Sequence, residues 1–332
     1  MWWIWPIYIV LLVAVTWLSV LLARFIDALD KKTKISGGVL GGILLAAVTS
    51  LPELITSLSA ILLMDEPGMT FGNIMGSNFF DITIIGAIML VMFMVIRKRK
   101  LSKGTGYFIL LSFIMSAIIL IFNIFNLEIV IPYLNINVLS LIILGAYITI
   151  LLLSRKKDEE DLGEKEKEVK IKMSVKQIVV WFIICAIALI AVSVGITYAT
   201  DYIATTYSIG KGIAGALFLG IATSLPEVIS SIELVRLGNF DMAVSDIFGS
   251  CMFNYLVLTI ADIFYFSGSV FVFDLQSIYF ASFMLLSTII FFAVYFLKRK
   301  KTKVAQKPWL YILTGTLMVC SYLTCMVLSA TL

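Results

Sequence analysis

Glu53 and Glu227 stand 174 positions apart, each closing the same five-residue string, Thr-Ser-Leu-Pro-Glu, inside an otherwise apolar stretch. A carboxylate at membrane depth is costly and is by default functional. The proline before each glutamate has no N–H to donate and disfavours helical geometry in the residue it follows. This frees carbonyls of Ala46, Ala47 and Thr49, and of their partners near Gly220 and Thr223. With the hydroxyls of Thr49, Ser50, Thr223 and Ser224, they are hard oxygen donors of the kind Ca2+ and Na+ prefer.

A second pair of strings supplies further donors. Gly-Asn-Ile-Met-Gly-Ser-Asn-Phe-Phe-Asp (72–81) answers Ser-Asp-Ile-Phe-Gly-Ser-Cys-Met-Phe-Asn (245–254) at an offset of 173. Asp81 and Asn254 each follow a serine, Ser77 or Ser250, by four positions, so each shares a helical face with that hydroxyl. Three carboxylates and one amide at mid-membrane make a site for a hard cation. Transition metals favour His or Cys ligands; the chain has no His, although Cys251 keeps Mn2+ or a softer ion in play. Asp246 adds a fourth acid where the first string has Asn73. It reads as a further ligand, a helix cap or a group meeting solvent on the ion path. No nucleophile–base pair or cofactor loop appears, so an enzyme is not expected and no cofactor is implied.

These residues need a scaffold that holds them inside a bilayer. Of 332 residues 61% are hydrophobic and 14% charged, and mean hydropathy is +1.05, against about a quarter charged in soluble domains. A crossing helix needs about 20 apolar residues. Ten such segments are expected, at 3–24, 36–63, 70–96, 105–125, 131–154, 174–199, 209–236, 242–265, 275–297 and 307–330. Of the 25 Lys and Arg, 24 fall in alternate loops on one side and only Lys211 on the other. Basic loops stay cytoplasmic, which puts both termini outside. The expected class is an all-α membrane protein of ten transmembrane helices, arranged as two inverted five-helix repeats with broken helices at the centre. Residues 1–154 form the first half, 155–173 a cytoplasmic linker and 174–332 the second half. Asp27 and Asp201 match each other as well, and read as cavity-rim or inter-helix groups.

The paired "TSLPE" and "GNxxGS" segments resemble the α-repeats of the sodium/calcium exchangers, within the cation/Ca2+ antiporter superfamily. The resemblance implies exchange of Na+ against Ca2+ by alternating access, with the first helix of each half sliding across the rest. It implies that Glu53 and Glu227 bind Ca2+ and share Na+. The hydroxyls of Thr49, Ser50, Ser77, Thr223, Ser224 and Ser250, with the carbonyls of Ala46 and Gly220, would complete the Na+ sites. Val48 and Ala222 depart from the family's usual Gly before the Thr. Asp81 and Asn254 reverse the Asn-then-Asp order of the prokaryotic pattern, and Asp246 replaces an Asn.

The expected activity is Ca2+ extrusion driven by Na+ across the plasma membrane, by a chain functional as a monomer. Its partners are the lipid bilayer and inorganic cations, not nucleic acid. The same scaffold leaves open H+/Ca2+ exchange or exchange of another divalent ion, Mg2+ or Mn2+. Proton-coupled relatives carry a "GNATE"-like segment in place of "TSLPE", which favours Na+.

Overall fold

The computed structural model describes residues 2–33, 49–131, 136–155 and 173–331. Within them the chain is helical: α1 (Ile4–Thr33), α2 (Leu51–Met64), α3 (Pro67–Ile96), α4 (Lys103–Ile124), α5 (Val138–Arg155), α6 (Val175–Thr206), α7 (Lys211–Arg236), α8 (Phe240–Phe264), α9 (Leu275–Arg299) and α10 (Pro308–Ala330). Prolines open α2, α3 and α10, where a missing N–H costs nothing. Side-chain caps open others. Ser102 accepts the Thr105 N–H at 3.1 Å and Asp274 the Ser277 N–H at 2.7 Å, and Ser174 with Gln177 forms a capping box.

Eight of the described helices are long and apolar enough to cross a membrane, and large apolar side chains line their outer faces, including Trp17, Trp181, Ile187 and Val327. The chain is a multi-pass helical membrane protein. Residues 34–48, which include most of the first half of the expected segment 36–63, lie outside the described residues. The segment expected from 131 instead begins its helix at Val138. Val130–Ile131 and Ile136–Asn137 pair as short antiparallel strands. Asn137 fixes that start: its N–H donates to Asp262 Oδ2 at 2.8 Å and its Oδ1 accepts the Leu139 N–H at 2.9 Å. Helices α1 and α6 run longer than expected, to Thr33 and Thr206.

The helices form two cores. Buried side chains of α1 and α6 (Val15, Leu22, Leu189, Ile196, Ile203) pack together with Leu219 and Ala222 of α7. A larger core joins α3, α4, α5, α8, α9 and α10 around Phe79, Tyr255, Phe248 and Phe291. Helix α3 lies at the centre and is pressed tightly to α7. A Cβ built on Gly72 or Gly76 would run into the backbone of Gly212 or Ala216.

Polar contacts mark the two ends. At one, Lys211 pairs with Asp201 and lies 3.4 Å from Glu66, which joins the starts of α3 and α7 to α6. At the other, Asp241 of α8 accepts the Ser102 N–H and the Thr105 hydroxyl at 2.7 and 2.6 Å. There Lys298, one of the Lys and Arg counted to the loops on the basic side, is 8% exposed. Its ammonium donates to Ile96 O at 2.8 Å and Tyr311 Oη at 3.1 Å, 5.8 Å from the Phe240 ring centroid. It thereby neutralises the C-terminal end of α3. Lys298→Met keeps the apolar stem but removes the charged donor shared by the Ile96 carbonyl, which keeps the Arg99 N–H at 2.9 Å, and the Tyr311 hydroxyl. It should lower stability by about 2 kcal/mol, read as a drop in the melting temperature of the detergent-solubilised protein.

Candidate cation site

Four helices, α2, α3, α7 and α8, carry the acidic residues into the protein interior. Glu53 lies in the first turn of α2, where the helix N-terminus favours negative charge. Glu227 lies in α7, Asp81 in α3 and Asn254 in α8. None of these four side chains is more than 2% exposed. In the first string Ser50 stands at φ −89°, ψ 13° before the helix starts at Leu51, and the Ala46 and Ala47 carbonyls lie outside the described residues. The second string departs from expectation. Pro226 sits inside a continuous helix from Gly220 to Arg236, and the irregularity lies upstream, in a π turn at Gly215–Leu219. The expected break at the second proline is corrected accordingly. The proline still leaves its own turn one bond short, and the wider turn before it lets the helix continue without a break.

The two halves meet here through hydroxyls. Ser50 Oγ donates to Glu227 Oε1 at 3.5 Å. Ser77 Oγ donates to the Gly220 carbonyl at 3.2 Å and lies 3.4 Å from Thr223 Oγ1, which donates to Leu219 O at 2.9 Å. Thr49 is 3% exposed. Asp246 is partly exposed and accepts the Ser230 hydroxyl at 3.0 Å. Ala46 lies outside the described residues, as does the side chain of Asp27. Asp201 is an ion-pair partner of Lys211 at the molecule's end, away from the central acids.

A large set of buried oxygens in this region has no hydrogen-bond partner among the described residues. It comprises both oxygens of Glu53 and of Asp81, Glu227 Oε2, Asn254 Oδ1, and the hydroxyls of Ser224 and Ser250. The charges of Glu53, Asp81 and Glu227 are close enough to act on one another. Among the described residues, the ion pairs are those of Lys211, so no Lys or Arg compensates these acids. Nor, among the described residues, do three Asp, Glu or Cys side chains converge to metal-holding distance. The oxygen set is therefore gathered but not closed around one point.

Asn78 belongs to the site and was not singled out in the sequence. Its Nδ2 donates to the Cys251 carbonyl at 3.3 Å while Cys251 Sγ donates to the Asn78 carbonyl at 3.8 Å, and Asn254 Nδ2 donates to Asn78 Oδ1 at 3.0 Å. Asn78 and Cys251 occupy equivalent places in the two strings, 173 residues apart. That equivalence was the available signal. The Asn254 amide is thus held by Asn78, and only its oxygen is left to face the acids.

Fold and site together define a multi-pass helical protein with an uncompensated acidic interior. Its family follows from the sequence match: the model described as "Sodium/calcium exchanger protein" covers residues 3–156 and again 177–331. The chain belongs to that family. Inner membrane protein YrbG of Escherichia coli (strain K12) is 26% identical over 225 residues, 66% of this chain and 67% of that protein. The putative antiporter CaxA of Alkalimonas amylolytica is 23% identical over 239 residues, 70% and 71% of the two chains. Among solved structures, the H+/Ca2+ exchanger CAX superposes with a TM-score of 0.68 at 15% identity, covering 98% of this chain and 90% of that one. The sodium-calcium exchanger NCX_Mj gives 0.61 at 19% identity, with 98% and 99% covered. These two share the fold.

Proposed function

We propose that the protein is a secondary antiporter that exchanges Na+ for Ca2+ by alternating access and extrudes Ca2+ across the plasma membrane. The unpaired buried oxygens of Glu53, Asp81, Glu227 and Asn254 carry the proposal. Buried carboxylates without partners are strongly unfavourable, and no basic side chain among the described ion pairs relieves them. A hard cation supplies the missing charge and accepts the free lone pairs. Thr49, Ser50, Ser77, Thr223, Ser224, Ser250 and the carbonyls of Ala46 and Gly220 contribute the neutral oxygens. Two inverted five-helix halves, 1–154 and 174–332, joined by the cytoplasmic segment 155–173, place the paired motifs face to face. Both termini lie outside and the monomer is the working unit. The separate core shared by α1 and α6 supports their movement across the remaining helices.

Na+ coupling follows from the repeated Thr-Ser-Leu-Pro-Glu strings. The alternative is H+ coupling, favoured by one observation: the acids lack basic partners, so protons as well as cations could neutralise them. The fold is shared with an H+/Ca2+ exchanger as well as a Na+/Ca2+ one. Proteoliposomes loaded with Na+ and diluted into Na+-free buffer should take up labelled Ca2+. The same vesicles given only a pH or K+ gradient should not. Uptake that follows the pH gradient and ignores Na+ assigns the H+ reading instead, and competition by Mn2+ or Mg2+ ranks the divalent ions.

A further inference from the structure

The two halves differ at one joint. In the first, Asn73 Nδ2 donates to Thr56 Oγ1 and Ser57 Oγ, both at 3.0 Å, and Asn73 is fully buried. The equivalent residues in the second half are Asp246, Ser230 and Ser231. A carboxylate cannot donate, so the bond reverses: Ser230 Oγ donates to Asp246 Oδ2 at 3.0 Å. Ser231 Oγ, fully buried, is left with no partner among the described residues, and Asp246 itself is partly exposed rather than sealed. The first joint is a neutral amide–hydroxyl clasp, made through Asn73 Nδ2 alone, with Asn73 Oδ1 buried and unpaired among the described residues. The second is an open carboxylate beside an unused hydroxyl.

These joints lie towards opposite ends of the molecule. Asn73 is in the second turn of α3, whose start lies by Glu66 and Lys211. Asp246 is in the second turn of α8, whose start lies by Asp241, Ser102 and Thr105. The second end carries the strings Arg97–Lys103 and Arg299–Lys307, a positive surface that repels cations. The charged groups facing Asp246 are Glu227 of α7 and Asp81 of α3, with Glu53 of α2 beyond them. From α4, the Thr105 hydroxyl is already engaged with Asp241 and lies 2.7 Å from Ser245 Oγ.

Building on the antiport function above, we propose that Asp246, with Ser231, is a receiving station for cations at the α8 end, which makes the two mouths of the transporter unequal. The carboxylate counters the basic loops there and passes a partly desolvated cation to Glu227, one turn past the Ser230 it binds. The mouth at the α3 end has the neutral Asn73 clasp instead. A Ca2+ extruder needs its tighter intake on the cytoplasmic side, the side to which the basic loops assign this end.

The test measures the KM for Ca2+ separately at each membrane face, in right-side-out and everted vesicles containing the full chain. Asp246→Asn, an isosteric change, should raise KM at the basic-loop face by about tenfold through lost electrostatic focusing, with KM at the other face staying within twofold. Asn73→Asp should lower KM at the opposite face. An Asp246→Asn variant whose KM is unchanged at the basic-loop face, or shifts equally at both, overturns the proposal. Glu227→Gln serves as the reference, and should abolish exchange from either face. If Glu227→Gln instead exchanges Ca2+ like the parent, the central site itself is misassigned and the receiving station falls with it. A normal loss in Glu227→Gln combined with symmetric kinetics in Asp246→Asn overturns the station alone.

Discussion

Glu53→Gln and Glu227→Gln should each reduce Ca2+ exchange in proteoliposomes by about 100-fold or more. Each glutamate supplies a buried charge with unpaired oxygens among the described residues, and losing one partner of a buried charge contact costs about 3–5 kcal/mol, or about two to three and a half orders of magnitude in affinity. A second readout separates loss of the site from loss of the fold. In the parent, Ca2+ should raise the melting temperature, because binding stabilises the folded state by mass action. In either variant that rise should vanish, while stability without Ca2+ should stay equal or increase, since an uncompensated buried charge has gone. A variant that unfolds before Ca2+ is added would point to a structural role. One that keeps exchange would remove that glutamate from the site.

Gly76→Leu should prevent assembly of the folded protein. The Cβ position on Gly76 coincides with Ala216 backbone and side chain at the crossing of α3 and α7, and the π turn of α7 begins one residue earlier, at Gly215. No rotamer resolves a clash that begins at Cβ, so the helices must separate. Overpacking costs typically 1–3 kcal/mol, and a forced backbone separation belongs at or above the top of that range. Expression followed by size-exclusion chromatography should show aggregated material in place of a monodisperse peak. Gly145→Leu, at a position with open space around it, is the matched control and should elute like the parent. A folded and active Gly76→Leu would mean that the α3–α7 contact is looser than described.

The acids were legible in the sequence because membrane burial makes a carboxylate conspicuous and the duplication marks it twice. Glu53, Glu227, Asp81 and Asn254 were found this way, and all four are buried where α2, α3, α7 and α8 meet. What stayed hidden depended on tertiary context. Pro226 predicts a break from local sterics, but no rule of composition places a π turn several residues upstream. Asn137 reads as one polar residue in an apolar run, and only the distant carboxylate of Asp262 turns it into a helix start. Lys298 belongs by pattern to a basic string, yet the Ile96 carbonyl at the end of α3 and the Tyr311 hydroxyl hold it inside. Asn78 was passed over because its counterpart is Cys251, and dissimilar residues conceal an equivalence that geometry makes plain.

The reciprocal bonds between Asn78 and Cys251 join two equivalent positions of a duplicated chain, so each residue touches its own copy. That is the signature of an isologous contact, normally made between separate subunits and here made within one polypeptide. Points on a twofold axis map onto themselves. In the proposed arrangement of two inverted halves, an operation that swaps their roles would displace Glu53 and Glu227 into each other's places but leave this crossing of α3 and α8 where it stands. On the inverted-repeat arrangement proposed above, the Asn78–Cys251 pair would be the pivot of the molecule, the place where the least movement is demanded and the greatest rigidity tolerated.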